Sequence, residues 1–460
     1  MCMFASSKSP CGRGLRKGTW VEQKALFKVQ ALLLFALFKG WSAFAGCQGP
    51  QRSCRPWLQP RHSCCVQLNA GDGDHPGRVV FLGSPSCVEV VLQRLVESQG
   101  HDFEVCAVVS RPPKRVKKAV SKTAVHDLAE KLGVPCVLTP PSAKDPGFLE
   151  ELESLKPDVC VTAAYGEYLP RRFLQTPRLG TVNLHPSLLP RWRGASPVQR
   201  CLVAGDTETG ITILYTVPKM DAGPIIVQKK MSLQGSETSP DLLDKLFAWG
   251  ADLLVDQVIP KLLSGEEKKE DCRMKEMENK MEVTMDTAQV QDEALVEKAP
   301  IITKEEGRLW PHNETAMQMR DKVRGYAGWP GTTLPVACSG STAPLEGVRI
   351  KVADAEIVPI DSVSSFISSH APDEELFFIP EVNGRAAVGL RPACDKVNAL
   401  LLRSFHIPGK KHEVPAETFK KGYMSFQPAK WITPEEEAAM VTTSSGGTKK
   451  KRKRTRGPRQ

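Results

Sequence analysis

Residues Asn183–Pro197 read NLHPSLLPRWRGASP. The run before them, TVNLHPS (181–187), is apolar and strand-like. On a strand, positions two apart share a face, so Asn183 and His185 point the same way at its end. The apolar turn SLLP follows, and then two arginines flank a tryptophan. Upstream, RVVFLGSP (78–85), VCAVVS (105–110), VPCVLTPP and DVCVTAAYG (158–166) read as further strands, with helical spacing between them. Strands alternating with helices imply an α/β fold with a doubly wound, mostly parallel sheet. In such sheets function gathers at the carboxyl ends of the strands, where NLH lies. Only Gly83 answers to a dinucleotide-binding turn. GSPSCV lacks the other two glycines of GxGxxG, so that turn reads as structural.

Downstream, ITILYTVPKMDAGPIIVQKKMSL (211–233) predicts two strands joined by a turn at 219–223, and the helix LLDKLFAWGADLLVDQVIPKLLSG closes a first domain near Gly265. Residues 266–286 are charged and Met-rich, as a linker insert is. From Pro311 a helix, GWPGTTLPV and several short strands suggest a smaller β barrel. The expected organisation is a head (1–70), a catalytic domain (76–265), a linker (266–310), a C-terminal barrel (311–435) and a basic tail (441–460).

The residue types in the opening stretch suit one kind of chemistry. A carboxamide can hydrogen-bond a developing oxyanion, and an imidazole can donate or shuttle a proton. Asp221, in the turn KMDAG, would favour the imidazolium if it lay beside His185. The set suits attack on a carbonyl carbon with no metal and no covalent adduct. Spacing alone leaves another reading open, a polar pair capping a strand and an aspartate serving its turn. By the same standard SLLP is packing, and Arg191 and Arg193 are solvated.

The longer pattern narrows this. VNLHPSLLPRWRGASPVQRCLVAGDTETGITI, followed by MDAGPI, resembles the core of the folate-dependent formyltransferases. SLLPRWRGASPVQR, with AYGEYLP upstream, is most similar to the branch that formylates methionyl-tRNA. The resemblance runs from about Arg78 to Gly422 and includes APIITKEEGRLW (299–310), VRGYAGWPGT (323–332) and LLLRSFHIPGKKHEVPAETFKKG (400–422). It implies a Rossmann-like formyltransferase fold followed by an OB-like barrel, and a monomer. The implied donor is 10-formyltetrahydrofolate, and the implied acceptor is the amino group of methionyl-initiator tRNA. Asn183, His185 and Asp221 match the family's catalytic trio, and Ser187, Leu188, Leu189 and Pro190 its folate-contacting loop, with Tyr165 and Gly166 walling the pterin pocket. Amino-sugar or glycinamide ribonucleotide formylation, or a tRNA-binding relative without catalysis, are the rival readings.

Two departures stand out. Family members carry a Gly- and Arg-rich loop after the second strand that enters the tRNA acceptor stem. Here SRPPKRVKKAVSKTA (110–124) is basic but lacks the glycine–arginine–glycine core. Pro186 stands where bacterial members usually have glycine. Arg115, Lys117 and Lys118 in that loop, Arg191 and Arg193 around Trp192, and Lys410 and Lys411 in HIPGKKH (406–412) are the candidate tRNA contacts.

Charge is unevenly spread over the 460 residues. Residues 1–71 carry +9 and the last twelve residues +8, so a net +10 leaves −7 for the body. A polyanion must therefore be held by local patches or by the tail. Fourteen cysteines, six of them before Asp72, form no CxxC pair and no His cluster, which argues against a disulfide framework or a zinc site. The head has Lys24 and Lys28 before VQALLLFALF (29–38), then SAFAG (42–46) and an acid-poor stretch. The apolar run is too short to span a bilayer as a helix. It reads as a two-part plastid address, the alternative being a mitochondrial presequence. The tail KKKRKRTR reads as a second handle on tRNA rather than a nuclear address.

Overall fold

The computed structural model describes residues 76–100, 102–116, 119–264, 288–338, 345–366, 376–382, 384–407, 412–423 and 430–431. The head, the charged insert, the basic tail, Lys117, Lys118, Lys410 and Lys411 lie outside them, as does the side chain of Arg115. Seven strands form the main sheet: β1 (Gly77–Gly83), β2 (Phe103–Val109), β3 (Val137–Leu138), β4 (Val159–Ala163), β5 (Thr181–His185), β6 (Glu208–Tyr215) and β7 (Ile225–Ser232). Their order is β7-β6-β5-β4-β1-β2-β3. The first five in chain order are parallel, and β6 and β7 are an antiparallel pair added beside β5. Chain order reverses between β1 and β4, the switch point of a doubly wound sheet.

The two faces of β1 show why the sheet is covered on both sides. Val79 and Phe81 enter one core with Val91, Leu92 and Leu95 of helix α1 (Glu89–Ser98). Val80 and Leu82 enter the other, with Phe148, Leu149 and Leu152 of helix α2 (Pro146–Ser154). Alternate residues of an extended strand face opposite ways, so an unbroken apolar run fits only a sheet buried on both faces. Asp145 starts α2 by accepting the Phe148 amide at 2.9 Å, with Pro146 at the first helical position, where its missing N–H costs nothing. The basic segment expected as a loop folds back on itself, pairing Lys114–Val116 with Ala119–Ser121.

Among the described residues, the C-terminal part has its named strands paired antiparallel. It holds a five-stranded sheet, built on Thr332–Cys338 and Leu345–Val352, and a four-stranded sheet, built on Arg385–Leu390 and Asn398–Leu402. Helix α4 (Ala316–Gly325) has a full capping box between Thr315 and Gln318. It packs against helix α3 (Pro197–Val203) of the first part. Arg324 donates from Nη2 to the Leu202 carbonyl at 3.3 Å. Arg200 on α3 pairs with Glu306.

The described part of the expected linker, 288–310, is no loose tether. Ile225 and Gln289 exchange both backbone hydrogen bonds, at 2.8 and 2.9 Å. Lys298–Ala299 then runs parallel to Arg193–Gly194. The chain beyond the insert therefore returns across the end of the first domain as a strap.

Candidate active site

Sheet order builds the site. Thr162 on β4 stands in register with Asn183 on β5, and His185 stands opposite Thr212 on β6. The Thr162 hydroxyl lies 2.8 Å from Asn183 Oδ1 and donates to it. That bond fixes which way the carboxamide faces. Its Nδ2 then donates to Asp221 Oδ1 at 3.3 Å. An amide nitrogen carries two hydrogens, so one N–H remains for a substrate oxygen.

His185 is 4% exposed. Its Nε2 lies 3.0 Å from the Trp192 carbonyl oxygen. A carbonyl only accepts, so Nε2 bears a proton. Nδ1 faces Asp221 Oδ1 at 3.7 Å, an electrostatic pairing longer than a hydrogen bond. Asp221 has a left-handed backbone, φ +49°, which an aspartate tolerates better than most residues. Its Oδ2 accepts the Gly194 amide at 3.0 Å. Asn183, His185 and Gly194 thus converge on one carboxylate.

Gly194 explains why the loop closes with that residue. Its φ is +136°, and a Cβ there would strike the Ala299 carbonyl oxygen of the strap. Gly223 is constrained in the same way, since a Cβ would meet the Tyr215 carbonyl oxygen across the hairpin.

The turn between His185 and Trp192 is pinned by one buried hydroxyl. Thr212 Oγ1 donates to the Ser187 carbonyl at 2.6 Å. It accepts from the Leu189 amide at 3.2 Å and from Gln228 Nε2 at 2.9 Å. A hydroxyl has one hydrogen and two lone pairs, and all three are used. Ser187 is fully buried, its own hydroxyl donating to the Arg191 carbonyl at 2.9 Å, and Leu189 packs with Leu214 and Ile225. Within SLLP the half-buried residues are Leu188 and Pro190.

The other expected wall residues are engaged differently. Tyr165 is 5% exposed and belongs to the core on the α2 side of the sheet. Burial, reinforced by Glu167 and opposed by Arg111, pushes its phenol up to about 12, so it stays neutral. The Gly166 carbonyl accepts from the Arg111 guanidinium, which lies 3.8 Å from Glu167.

Of the two arginines of RWRG, Arg193 turns inward, away from the surface expected for it, while the Arg191 side chain stays 41% exposed and ion-paired. Arg193 is 6% exposed; its Nε donates to Gln291 Oε1 at 2.9 Å and its Nη1 to Glu293 at 2.8 Å. Buried, it offers no surface to a phosphate. Arg191 is bidentate to Asp206, pairs with Glu297 and lies over the Trp192 ring. Its charge is already neutralised by two carboxylates. Both serve to pack the loop against the strap and the segment after α3. A cavity of about 400 Å³ on that side is lined by Leu188, Arg191, Trp192 and Asp206, and it does not include the trio.

Sequence reasoning missed Thr162, Thr212, Gln228 and Gln291. The parallel register and the crossing of the strap that bring them to the site leave no local pattern. Among the described residues no group of three or more His, Cys, Asp or Glu is placed to hold a metal ion. Burial pushes the thiols of Cys87 and Cys106 up to about 11, and that of Cys201 up to about 12.

Residues 77–258 match the formyl transferase family, so the doubly wound part is a formyltransferase domain. The chain is 35% identical over 284 residues to the methionyl-tRNA formyltransferase of Methylococcus capsulatus, covering 61% of this chain and 81% of that one. With the methionyl-tRNA formyltransferase of Myxococcus xanthus it shares 35% identity over 304 residues, 62% and 89% of the two chains. It belongs to the methionyl-tRNA formyltransferase family and is an enzyme of that type. An N-formyltransferase from Helicobacter canadensis, solved with folinic acid and dTDP-3-aminofucose, aligns over 71% of this chain and 99% of that one at 14% identity and a TM-score of 0.46.

Proposed function

We propose that the protein transfers the formyl group of 10-formyltetrahydrofolate to the amino group of methionyl-initiator tRNA, for translation initiation in an organelle. The observation that carries this reading is the convergence of Asn183, His185 and Gly194 on the Asp221 carboxylate, in a chain of this family. The folate supplies the formyl group. Half-buried Leu188 and Pro190, on a turn held rigid by Thr212, give its flat ring an apolar ledge. As the methionyl amine attacks, negative charge grows on the formyl oxygen. Asn183 Nδ2, through its free N–H, and the His185 imidazole stabilise that charge, which is the usual way such a site lowers its barrier. Asp221 faces Nδ1 of His185 and takes up the amine's proton through water; collapse of the intermediate breaks the bond from the formyl carbon to N10, and that proton passes to N10 as tetrahydrofolate leaves.

For tRNA we assign Arg115, Lys117 and Lys118, together with Lys410 and Lys411, to backbone contacts, with the basic tail as a further handle. We read the C-terminal part as an OB-like barrel. Its two sheets share one core, in which Leu334, Val336 and Ile350 of one meet Val388, Leu400 and Leu402 of the other. We keep domain limits of 76–265 and 311–435, with residues 266–310 between them. We place the protein in a plastid, with a mitochondrion as the alternative, on the strength of residues 1–70. We also read it as a monomer.

The test is the purified chain with charged initiator tRNA and 10-formyltetrahydrofolate, scoring formyl-methionine. Formylation of methionyl-tRNA is the expected result. Transfer only to an amino sugar or glycinamide ribonucleotide, or none at all, would overturn the reading. Residues 1–70 fused to a fluorescent protein should carry it into plastids, and mitochondrial label would select the alternative. Deleting residues 446–460 should flatten the salt dependence of tRNA binding, and an unchanged slope would reject the tail's role.

A further inference from the structure

The strap lies beyond the residues that match the formyltransferase domain, which end at 258. Even so, it supplies the contacts that hold Asp221 in place. Gln291 is 6% exposed and donates from Nε2 to two carbonyls of the hairpin turn, Asp221 at 2.9 Å and Gly223 at 2.8 Å. Its Oε1 accepts Arg193 Nε at 2.9 Å. Both amide hydrogens and the carbonyl are therefore spent on the two segments that carry Asp221 and Gly194. The strap is itself fastened on both sides of Gln291. Gln289 is paired with Ile225 before it, Arg193 N donates to the Glu297 carbonyl at 2.8 Å after it, and Ser196 N donates to the Ala299 carbonyl at 3.2 Å. Glu293 adds pairs to Lys219 at 2.7 Å and Arg193 at 2.8 Å.

We propose that Gln291 is a positioning residue for Asp221, and that the strap 288–299 is part of the catalytic unit rather than a connection between two domains. This rests on the formyl-transfer reading above. The left-handed turn at Asp221 has no sheet partner of its own to set its place. Two hydrogen bonds to its carbonyls, from a side chain anchored on the RWRG loop, fix the distance between the Asp221 carboxylate and the groups on β5. An error of about 1 Å in such a distance costs on the order of a hundredfold in rate.

The test compares Gln291→Met and Gln291→Asn with the unsubstituted full chain, at saturating methionyl-tRNA and 10-formyltetrahydrofolate. Methionine matches the length but has neither donor nor acceptor; asparagine keeps the amide on a shorter stem and serves as the milder variant if Gln291→Met does not fold. The expected result is a fall in kcat of about 10–100-fold for Gln291→Met, with each KM within about threefold, and a smaller fall for Gln291→Asn. A kcat within twofold in the folded variants would overturn the proposal. So would a loss carried entirely by KM. A readout independent of the acceptor is amide exchange of residues 219–223, which should quicken at least tenfold in the variants while the β1 peptide is unchanged. Equal exchange would overturn the proposal even if the chain formylates a different amine. If the unsubstituted chain formylates nothing while exchange responds as stated, the formyl-transfer reading fails and the positioning role stands.

Discussion

The two sides of the candidate site are held by different means. Asn183 and His185 sit on a strand flanked on both sides, by β4 and β6, so the sheet ladder fixes their backbones. Asp221 sits on a left-handed hairpin turn beyond the last ladder bonds and is placed by single hydrogen bonds from Asn183, Gly194 and Gln291. One side takes its position from cooperative secondary structure. The other is assembled from segments up to 70 residues apart in sequence. The strand-borne side should therefore lose most when the chemical group itself is removed and less when the one side chain that orients it is removed, whereas the turn-borne side should fail when any of several supports is lost.

The largest effect is expected on the strand side. Asn183→Ala removes an oxyanion donor without touching the ladder, and kcat should fall about 10²–10³-fold with little change in melting temperature. A drop below tenfold in single-turnover assays would break the comparison. Next comes Gly194→Ala. Its Cβ would displace the Ala299 carbonyl and carry the amide away from Asp221, so kcat should fall roughly a hundredfold together with stability. Full activity in this variant would mean that the strap does not govern the turn. Thr162→Val frees the Asn183 carboxamide to turn over while leaving the strand in place. A loss of about tenfold in kcat at constant KM should follow, and a pure KM effect would contradict the assigned role.

Thr212→Val leaves the Leu189 amide and Ser187 carbonyl without their partner. The expected outcome is about 1–3 kcal/mol less stability in urea titrations and a raised KM for the folate, with kcat nearly unchanged. The smallest catalytic effect belongs to Glu306→Gln at the contact with Arg200. Burial acts to raise the Glu306 carboxyl, but Arg200 and the Thr303 amide outweigh it and hold it below the usual range. A depressed carboxyl stabilises the fold above its unfolded value near 4.5, and that contribution is lost as pH falls through the folded value. Acidification from pH 6 should thus lower the melting temperature of the unsubstituted protein more than that of Glu306→Gln. Parallel curves would show that the pair contributes nothing.

The legibility of the site in the sequence follows the same division. Period two on a strand was enough to put Asn183 and His185 on one face, and the apolar strands were enough for a doubly wound sheet. The turn KMDAG located Asp221, but nothing local showed what holds it. Thr162 reaches Asn183 through parallel register, and Gln291 reaches Asp221 through a strap that reads as linker. Arg191 and Arg193 look like surface charge in the sequence because their carboxylate partners, Asp206, Glu293 and Glu297, come from elsewhere in the chain. Tyr165 lies just past the end of β4, yet its side chain belongs to the core. Tertiary pairing decides such cases, and composition does not show it.

In the proposed mechanism the strand-borne His185 and the turn-borne Asp221 act as one unit. The most direct test is kcat for His185→Ala, Asp221→Asn and the double variant at saturating substrates. Groups that act together lose their effect together, so the double variant should be no more than about threefold slower than the worse single variant. A double variant whose loss is the product of the two single losses would contradict the account.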